Sequence, residues 1–395
     1  MNTKLLGREI LTEIKIAESS STCTIFAGAR PDTADIAFYS ERCDHDWVRS
    51  YLHPYLVPQK TCGAGAVRRI YFSTVEDRIL RVILKHWNDA GQELLVPAAD
   101  QQISLRRLKV AGRDVFLQTI DGGIYQIVAF RGRDVVLLAP KARGVEVPYL
   151  AVRALRNLMI LESLEQGDLL LHASGVVHRE KGYLFTGDKF AGKTTTMLAF
   201  LVGLQCDFLT NDQALVSCDG SRVWGVPISV GIRGNTLELF PKLKQYVQTH
   251  QLSYYIGPVP EKKAQGRPLW SVETPAGDEM RTTFTMKELA GACGVSVASS
   301  APLSCIFLLN RDLTCRRSEA STLSCREAQE QLNRHLLHQV CNLQPCWEYL
   351  RNRPVASAEE IEHLAQHVKV VIVRLNSNDD TGELFDRLIR SDCEE

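Results

Sequence analysis

No two of the twelve cysteines stand in a C-x-x-C spacing. That removes the ligand pattern of a zinc ribbon and of a thioredoxin-type redox pair. Cys341 and Cys346 are the tightest pair, and no second pair lies near them to complete a zinc set. Net charge is missing as well, since 46 Lys and Arg balance 46 Asp and Glu. No electrostatic reason remains to expect nucleic acid or an anionic membrane as partner. No uncharged apolar run approaches the roughly eighteen residues of a membrane span. The first residues, MNTKLLGREILTEIKIAE, are interrupted by charges and hold no signal-peptide core. The cysteines therefore read as reduced thiols of a cytoplasmic protein. Several, such as Cys305 in LSCIFLL, read as small apolar core residues. Internal repeats and low-complexity segments are also absent.

What is present is length for about two domains and an ordinary apolar fraction of 45%. The distinctive stretch runs from Leu169 to Val216. At its centre Gly187-Asp188-Lys189-Phe190-Ala191-Gly192-Lys193-Thr194 fits G-x-x-x-x-G-K-[ST]. Successive N–H groups of such a turn point inward around a phosphate. Gly192 lets the backbone come close, Lys193 reaches the β- and γ-phosphates of ATP, and Thr194 offers a hydroxyl to Mg²⁺. The pattern alone is weak, so its flanks matter. Gly182–Thr186 reads as a buried strand and Thr194–Leu204 as a mostly buried helix, whose N-terminus, with Thr195 in it, favours an anion.

Residues 1–95 read as an α+β module. Ile10–Ala17, Thr22–Ala27, Ile36–Tyr39 and Arg69–Ser73 look strand-like, and Asp77–Trp87 has helical spacing at Ile79, Val82 and Ile83. Cys43, His45 and His53 lack a second half for a metal set. Residues 96–145 alternate like antiparallel strands, with Asp121-Gly122-Gly123 and Arg131-Gly132-Arg133 as turns, and form a β-rich connecting segment. Residues 146–395 form the P-loop domain. Tyr149–Glu165 reads as a helix stopped by Gly167, and Leu169–Val177 as a strand. Residues 240–285 read as a polar stretch with an irregular loop at Gly257–Pro260. Pro302–Asn310 reads as a central strand. Ser324–Val340 is a helix opened by a Ser324/Glu327 capping box. Ala358–His367 and Glu383–Arg390 are further helices, with Val368–Arg374 a last strand.

The order H-A-S, strand, P-loop, helix and a strand ending in an acidic pair resembles the C-terminal kinase domain of HPr kinase/phosphorylase. It resembles most the members that phosphorylate peptides or small molecules in bacterial biosynthesis, and PEP carboxykinase has a similar nucleotide site. The resemblance covers roughly residues 165–240. It implies an α/β P-loop kinase domain with a mixed sheet behind the α+β module. It further implies an ATP- and Mg²⁺-dependent kinase acting on a hydroxyl of a peptide Ser/Thr or a small molecule.

By that resemblance His172 holds or tunes a catalytic carboxylate; its plainer reading is a half-buried histidine bonded to backbone. Asp212 ends a strand where a Mg²⁺ carboxylate belongs. The family has two aspartates here, one base and one metal ligand, and this chain has Asn211-Asp212. Asp212 then carries both roles, or another acid is recruited, or the pair is only a turn. Ile232-Arg233-Gly234 resembles the family's E-I-R-G, with Gly231 at the glutamate position. Arg233 either steadies the transferred phosphate or is a turn arginine. One of Arg311, Arg316 and Arg317 could face the nucleotide. Two other classes fit the same motifs: a nucleotide-binding regulator or scaffold, and a partner-dependent NTPase. A homo-oligomer is compatible with all three.

Overall fold

The computed structural model describes residues 3–28, 30, 33–41, 43–61, 67–98, 101–120, 124–141, 147–250, 252, 271–272, 281–312, 318–337, 345–350, 356–376, 385 and 387–389. They make a mixed α/β protein with two large mixed sheets, in two units. The first runs to Gln166 and takes in a 3-10 turn at Pro345–Leu350; the second begins at Gly167 and holds the other described residues.

The first unit opens with α1 (Thr3–Glu18). The strand expected at Ile10–Ala17 is therefore helix. Leu6, Ile10, Ile14 and Ala17 are all buried, so a 3.6-residue apolar stripe outweighs the strand preference of isoleucine. Next come β1 (Cys23–Gly28), β2 (Asp35–Tyr39), α2 (His45–Leu52), β3 (Leu56–Gln59), β4 (Val67–Val75) and α3 (Asp77–Ala90). Helix α3 buries Leu80, Ile83 and Trp87 and leaves Val82 exposed. Then follow β5 (Gln92–Ala98), β6 (Gln101–Val110), β7 (Arg113–Ile120), β8 (Ile124–Arg131), β9 (Asp134–Pro140) and α4 (Val147–Glu165). The strand order is β3-β1-β2-β4-β9-β8-β7-β6-β5. Pairs β2–β4 and β4–β9 are parallel.

Residues 96–145 thus continue the sheet begun within 1–95 instead of connecting two domains. Helix α4, expected at the head of the P-loop domain, lies in the first unit. Arg68 donates to Glu162 at 2.6 Å, and Arg133 pairs with Glu162 at 3.3 Å and with Glu165. Trp347 packs edge-on to Phe130, and the Tyr349 hydroxyl donates to Asp114 at 2.8 Å. Both ring nitrogens of His45 are engaged. Nε2 lies 2.7 Å from the Ser40 carbonyl and Nδ1 2.7 Å from the Thr24 hydroxyl. Among the described residues no group of three His, Cys, Asp or Glu could hold a metal. The turn expected at Asp121–Gly123 lies outside the described residues.

The second unit contains β10 (Leu169–Leu171), β11 (Ala173–His178), β12 (Lys181–Thr186), α5 (Lys193–Gly203), β13 (Asp207–Thr210), β14 (Ala214–Val216) and β15 (Arg222–Gly225). Next are β16 (Val230–Arg233), α6 (Gly234–Glu238), α7 (Pro241–Thr249), β17 (Ser271–Val272), β18 (Arg281–Phe284), α8 (Met286–Cys293) and β19 (Ser300–Arg311). The unit ends with β20 (Glu319–Thr322), α9 (Cys325–His335), α10 (Ala358–His367) and β21 (Lys369–Leu375). Its large sheet has the order β10-β14-β15-β19-β12-β11-β13, with β21 also on β19 and β20 on β21. Strand β19 can hold three neighbours because β15 takes its first residues and β21 its later ones. β16, β18 and β17 make a small antiparallel sheet.

The run Leu169–Val177, expected as one strand, breaks at His172 into β10 and β11, which pair with different partners. Part of the polar stretch after residue 240 is helix α7, started by Pro241. The expected loop at Gly257–Pro260, Arg316 and Arg317 lie outside the described residues, and Arg311 is exposed. Helix α9 has the expected Ser324/Glu327 capping box. It stops at His335 instead of Val340, because Leu336 forms an antiparallel bridge to Leu171 and the Leu337 N–H donates to the Leu170 carbonyl at 2.7 Å. Of the helix expected at Glu383–Arg390, Phe385 is buried against Phe185, Phe200 and Phe307. No helix among the described residues is long and apolar enough to cross a membrane. Burial pushes the thiols of Cys43 and Cys206 up to about 12 and that of Cys293 up to about 11, so these three stay protonated near neutrality.

Candidate functional site

Strand pairing gathers the candidate residues at one end of the second unit's sheet. β12 runs antiparallel to β11 with Thr186 opposite Ala173. β11 runs antiparallel to β13 with Gly175 opposite Thr210. The segments after β12, before β11 and after β13 therefore emerge together. These are the loop Gly187–Gly192, His172 and Asn211-Asp212. β12 is parallel to β19 and β19 to β21, so this is the carboxyl end of the parallel strands, where open α/β sheets bind ligands.

The loop needs its two outer glycines for different reasons. Gly187 has φ 143°, and a Cβ there would lie 2.4 Å from the Leu309 carbonyl oxygen of β19. Gly192, the N-cap of α5, has φ 99° but open space around it; conformation alone selects glycine there. Asp188, Lys189 and Phe190 are exposed, Ala191 is buried, and Thr194 and Thr195 are half-buried. The Thr196 N–H donates to the Gly192 carbonyl at 2.8 Å. The N–H groups of Lys193, Thr194 and Thr195 precede that first helical bond and have no partner within the helix.

Lys193 is buried, at 8% exposure. Its Nζ donates to the carbonyls of Gly187 at 2.6 Å and Asp188 at 3.1 Å. Burial pushes its pKa below the ordinary lysine value, and the negative charges of Asp212 and Asp188 oppose that shift. Asp212 is thus within electrostatic reach of the ammonium.

The Asn211-Asp212 pair faces two ways. Asn211 is 1% exposed, and its Oδ1 accepts from the Ser174 hydroxyl at 3.1 Å inside the sheet. Asp212 takes the left-handed conformation, with φ 63°, and is exposed. The turn is held by the Gln213 N–H on the Asn211 carbonyl at 2.8 Å and by the Thr210 hydroxyl on the Gln213 carbonyl.

His172 sits between these pieces. Its N–H donates to the His335 carbonyl at 2.8 Å, and its carbonyl accepts from the Thr186 hydroxyl at 3.0 Å. Its Nδ1 lies 2.9 Å from the main-chain carbonyl of Asp212. A carbonyl only accepts, so Nδ1 carries a proton in this contact. The contact seen is the plainer one, a ring bonded to backbone, and that backbone is the carbonyl of Asp212. Arg233, at the end of β16, holds its guanidinium carbon 4.3 Å from the centre of the Phe190 ring.

His335 was not marked by the sequence. The bridge of Leu336 to Leu171 brings it in, a long-range pairing that no local pattern signals. It is buried, and burial lowers its pKa. Lys193, His172 and Arg334 lower it further, while Asp188 opposes them. The folded state therefore resists its protonation. That contribution to stability is complete above the ordinary histidine value of about 6.5 and is lost as pH falls from there through the folded pKa. Acid unfolding of wild type should accordingly show a stability loss starting near that pH. His335→Gln should lack this component, as followed by thermal denaturation between pH 5 and 8.

No protein-family model matches the chain. No curated protein matches it either. Among solved structures, the HPr(Ser) kinase/phosphatase from Coxiella burnetii is similar. It is 10% identical, with 56% of this chain and 88% of that chain covered, and the TM-score is 0.24. A likeness at that score carries no argument, so the reading of the site rests on its residues.

The donor set suits a phosphate chain. Three helix N–H groups, an ammonium and a guanidinium lie around one loop. The Thr194 hydroxyl and the Asp212 carboxylate are oxygen ligands of the hard kind that Mg²⁺ takes.

Proposed function

We propose that the chain is an ATP-dependent phosphotransferase whose acceptor is a hydroxyl, on a peptide Ser/Thr or a small molecule. The observation that carries this reading is Lys193, a buried ammonium held on two carbonyls of a strained glycine loop at the N-terminus of α5. Burying a cation is costly. A phosphate chain would exchange its two neutral partners for charge-assisted ones.

In this reading the N–H groups of Lys193, Thr194 and Thr195 and the Lys193 ammonium hold the β- and γ-phosphates. Thr194 and Asp212 would hold Mg²⁺, which when bound offsets charge on the phosphates. Asp212 takes the acceptor's proton. The acceptor oxygen bonds to the γ-phosphorus as the bond to the β–γ bridging oxygen breaks, and ADP leaves. His172 fixes the Asp212 main chain through Nδ1 and so sets where that carboxylate sits. Arg233 stabilises charge on the transferring group.

One observation favours a second reading, a nucleotide-binding regulator or scaffold. Asn211 is buried and bonded to Ser174, which leaves Asp212 alone at this strand end. The fate of ATP labelled in its γ-phosphate separates the readings. The full chain is incubated with Mg²⁺ and hydroxyl-bearing peptides and metabolites. Label on an acceptor is the expected result, reduced in Asp212→Asn by roughly a hundred- to ten-thousandfold. Label released as inorganic phosphate would make the chain an NTPase, and label left on ATP would make it a binding protein. Either outcome overturns the transferase.

A further inference from the structure

We infer that Phe190 is a positioning residue whose ring holds the Arg233 guanidinium at the phosphate loop. The purpose of that arginine rests on the phosphotransferase reading; the contact itself does not. Three features of Phe190 are unusual together. It is 60% exposed, although large and apolar. It takes φ 72° without being glycine, a conformation that bulky residues avoid and that points to function where it persists. Its ring has two cations beside it, the Arg233 guanidinium at 4.3 Å and the Lys189 ammonium at 5.1 Å. Core packing explains none of the three.

The physical need is plain. Lys193 already places a positive charge in this loop, and like charges repel. A long arginine side chain left unrestrained would spend its time in solvent. The face of an aromatic ring carries negative potential and holds a guanidinium within about 6 Å. The Arg233 backbone is already fixed, because β16 pairs with β18 and places Arg233 opposite Arg281. The Phe190 ring adds a restraint on its side chain from the anion loop itself, so less side-chain freedom is lost when the anion arrives.

The test uses inorganic tripolyphosphate and the full chain, with binding measured by calorimetry and MgATP transfer measured alongside. Phe190→Leu should weaken tripolyphosphate binding by roughly three- to tenfold, whereas Phe190→Tyr should stay within about twofold of wild type. Arg233→Gln should lose at least as much, and the double variant should lose no more than Arg233→Gln alone. Phe190→Gly relieves the backbone, so it should unfold at the same temperature as wild type or higher and still bind weakly. A merely structural role would move stability and binding together. Wild-type affinity in Phe190→Leu, or additive losses in the double variant, overturns the inference. Coupled losses without transfer remove the phosphotransferase reading and leave the role of Phe190. Transfer with additive losses does the reverse. No tripolyphosphate binding by wild type overturns the inference, and the transfer assay alone then decides the phosphotransferase reading.

Discussion

Gly187→Ala should destabilise the second unit by about 3 kcal/mol and abolish nucleotide binding. Two independent faults add at this position. The residue sits at φ 143°, outside the range that side-chain-bearing residues readily adopt. The added methyl would also meet the Leu309 carbonyl at 2.4 Å. That oxygen belongs to β19, whose pairing with β12 and β21 holds the centre of the sheet, so it has little room to retreat. The backbone at residue 187 must therefore move, and with it the Gly187 carbonyl on which Lys193 rests. Thermal denaturation should show a loss of about 10 °C in the transition of this unit. Gly192→Ala is the internal comparison. No atom lies closer than 4.0 Å to its added methyl, so only the conformational cost applies, and the loss should be about half as large.

Asn211→Asp should lower stability by about 2 kcal/mol at neutral pH and leave any transfer rate unimproved. The family resemblance implies a second aspartate here. The side chain, however, is 1% exposed and faces Ser174 inside the sheet, not the loop. A carboxylate there would be desolvated, with one hydroxyl as compensation. Its pKa would rise above the unfolded value of about 3.9. The native state would then hold the proton longer than the unfolded one. The penalty should be absent below about pH 4 and grow as pH rises through the folded pKa. Thermal stability of the variant and wild type compared across pH 3.5 to 8 checks the direction. A rate gain in Asn211→Asp would show that the side chain reaches the reacting atoms after all.

These two residues also mark what a sequence can and cannot convey. The loop was legible because its chemistry is local: glycines, lysine and threonine at fixed offsets, between a strand and a helix that announce themselves by apolar pattern. The Ser324/Glu327 cap was legible for the same reason. Which way Asn211 and Asp212 point was not, since that depends on a left-handed turn at Asp212 and on Ser174, 37 positions away. His335 was invisible because a bridge between Leu336 and Leu171 delivers it. The break at His172 is a matter of partners, one strand of the sheet on each side of it, and no local preference records that. In the first unit the three isoleucines of Ile10–Ala17 favour a strand by preference, yet the segment is part of α1. The recurrence of Leu6, Ile10, Ile14 and Ala17 was the stronger signal. A helix bears no mark of which sheet it will cover; α4 lies with the first unit, where Glu162 pairs with Arg68 and Arg133.

The measurement that tests the central claim most directly is a titration of MgATP into the full chain, repeated with Lys193→Met. Methionine fills the lysine's space without a charge to desolvate. Because burial opposes the ammonium, the variant should fold with stability equal to wild type or greater. Its affinity for MgATP should nevertheless fall by roughly a hundred- to thousandfold. Saturable binding by wild type, lost in a variant of undiminished stability, is the result this account predicts. Equal binding by the two proteins, or none by wild type, would contradict it.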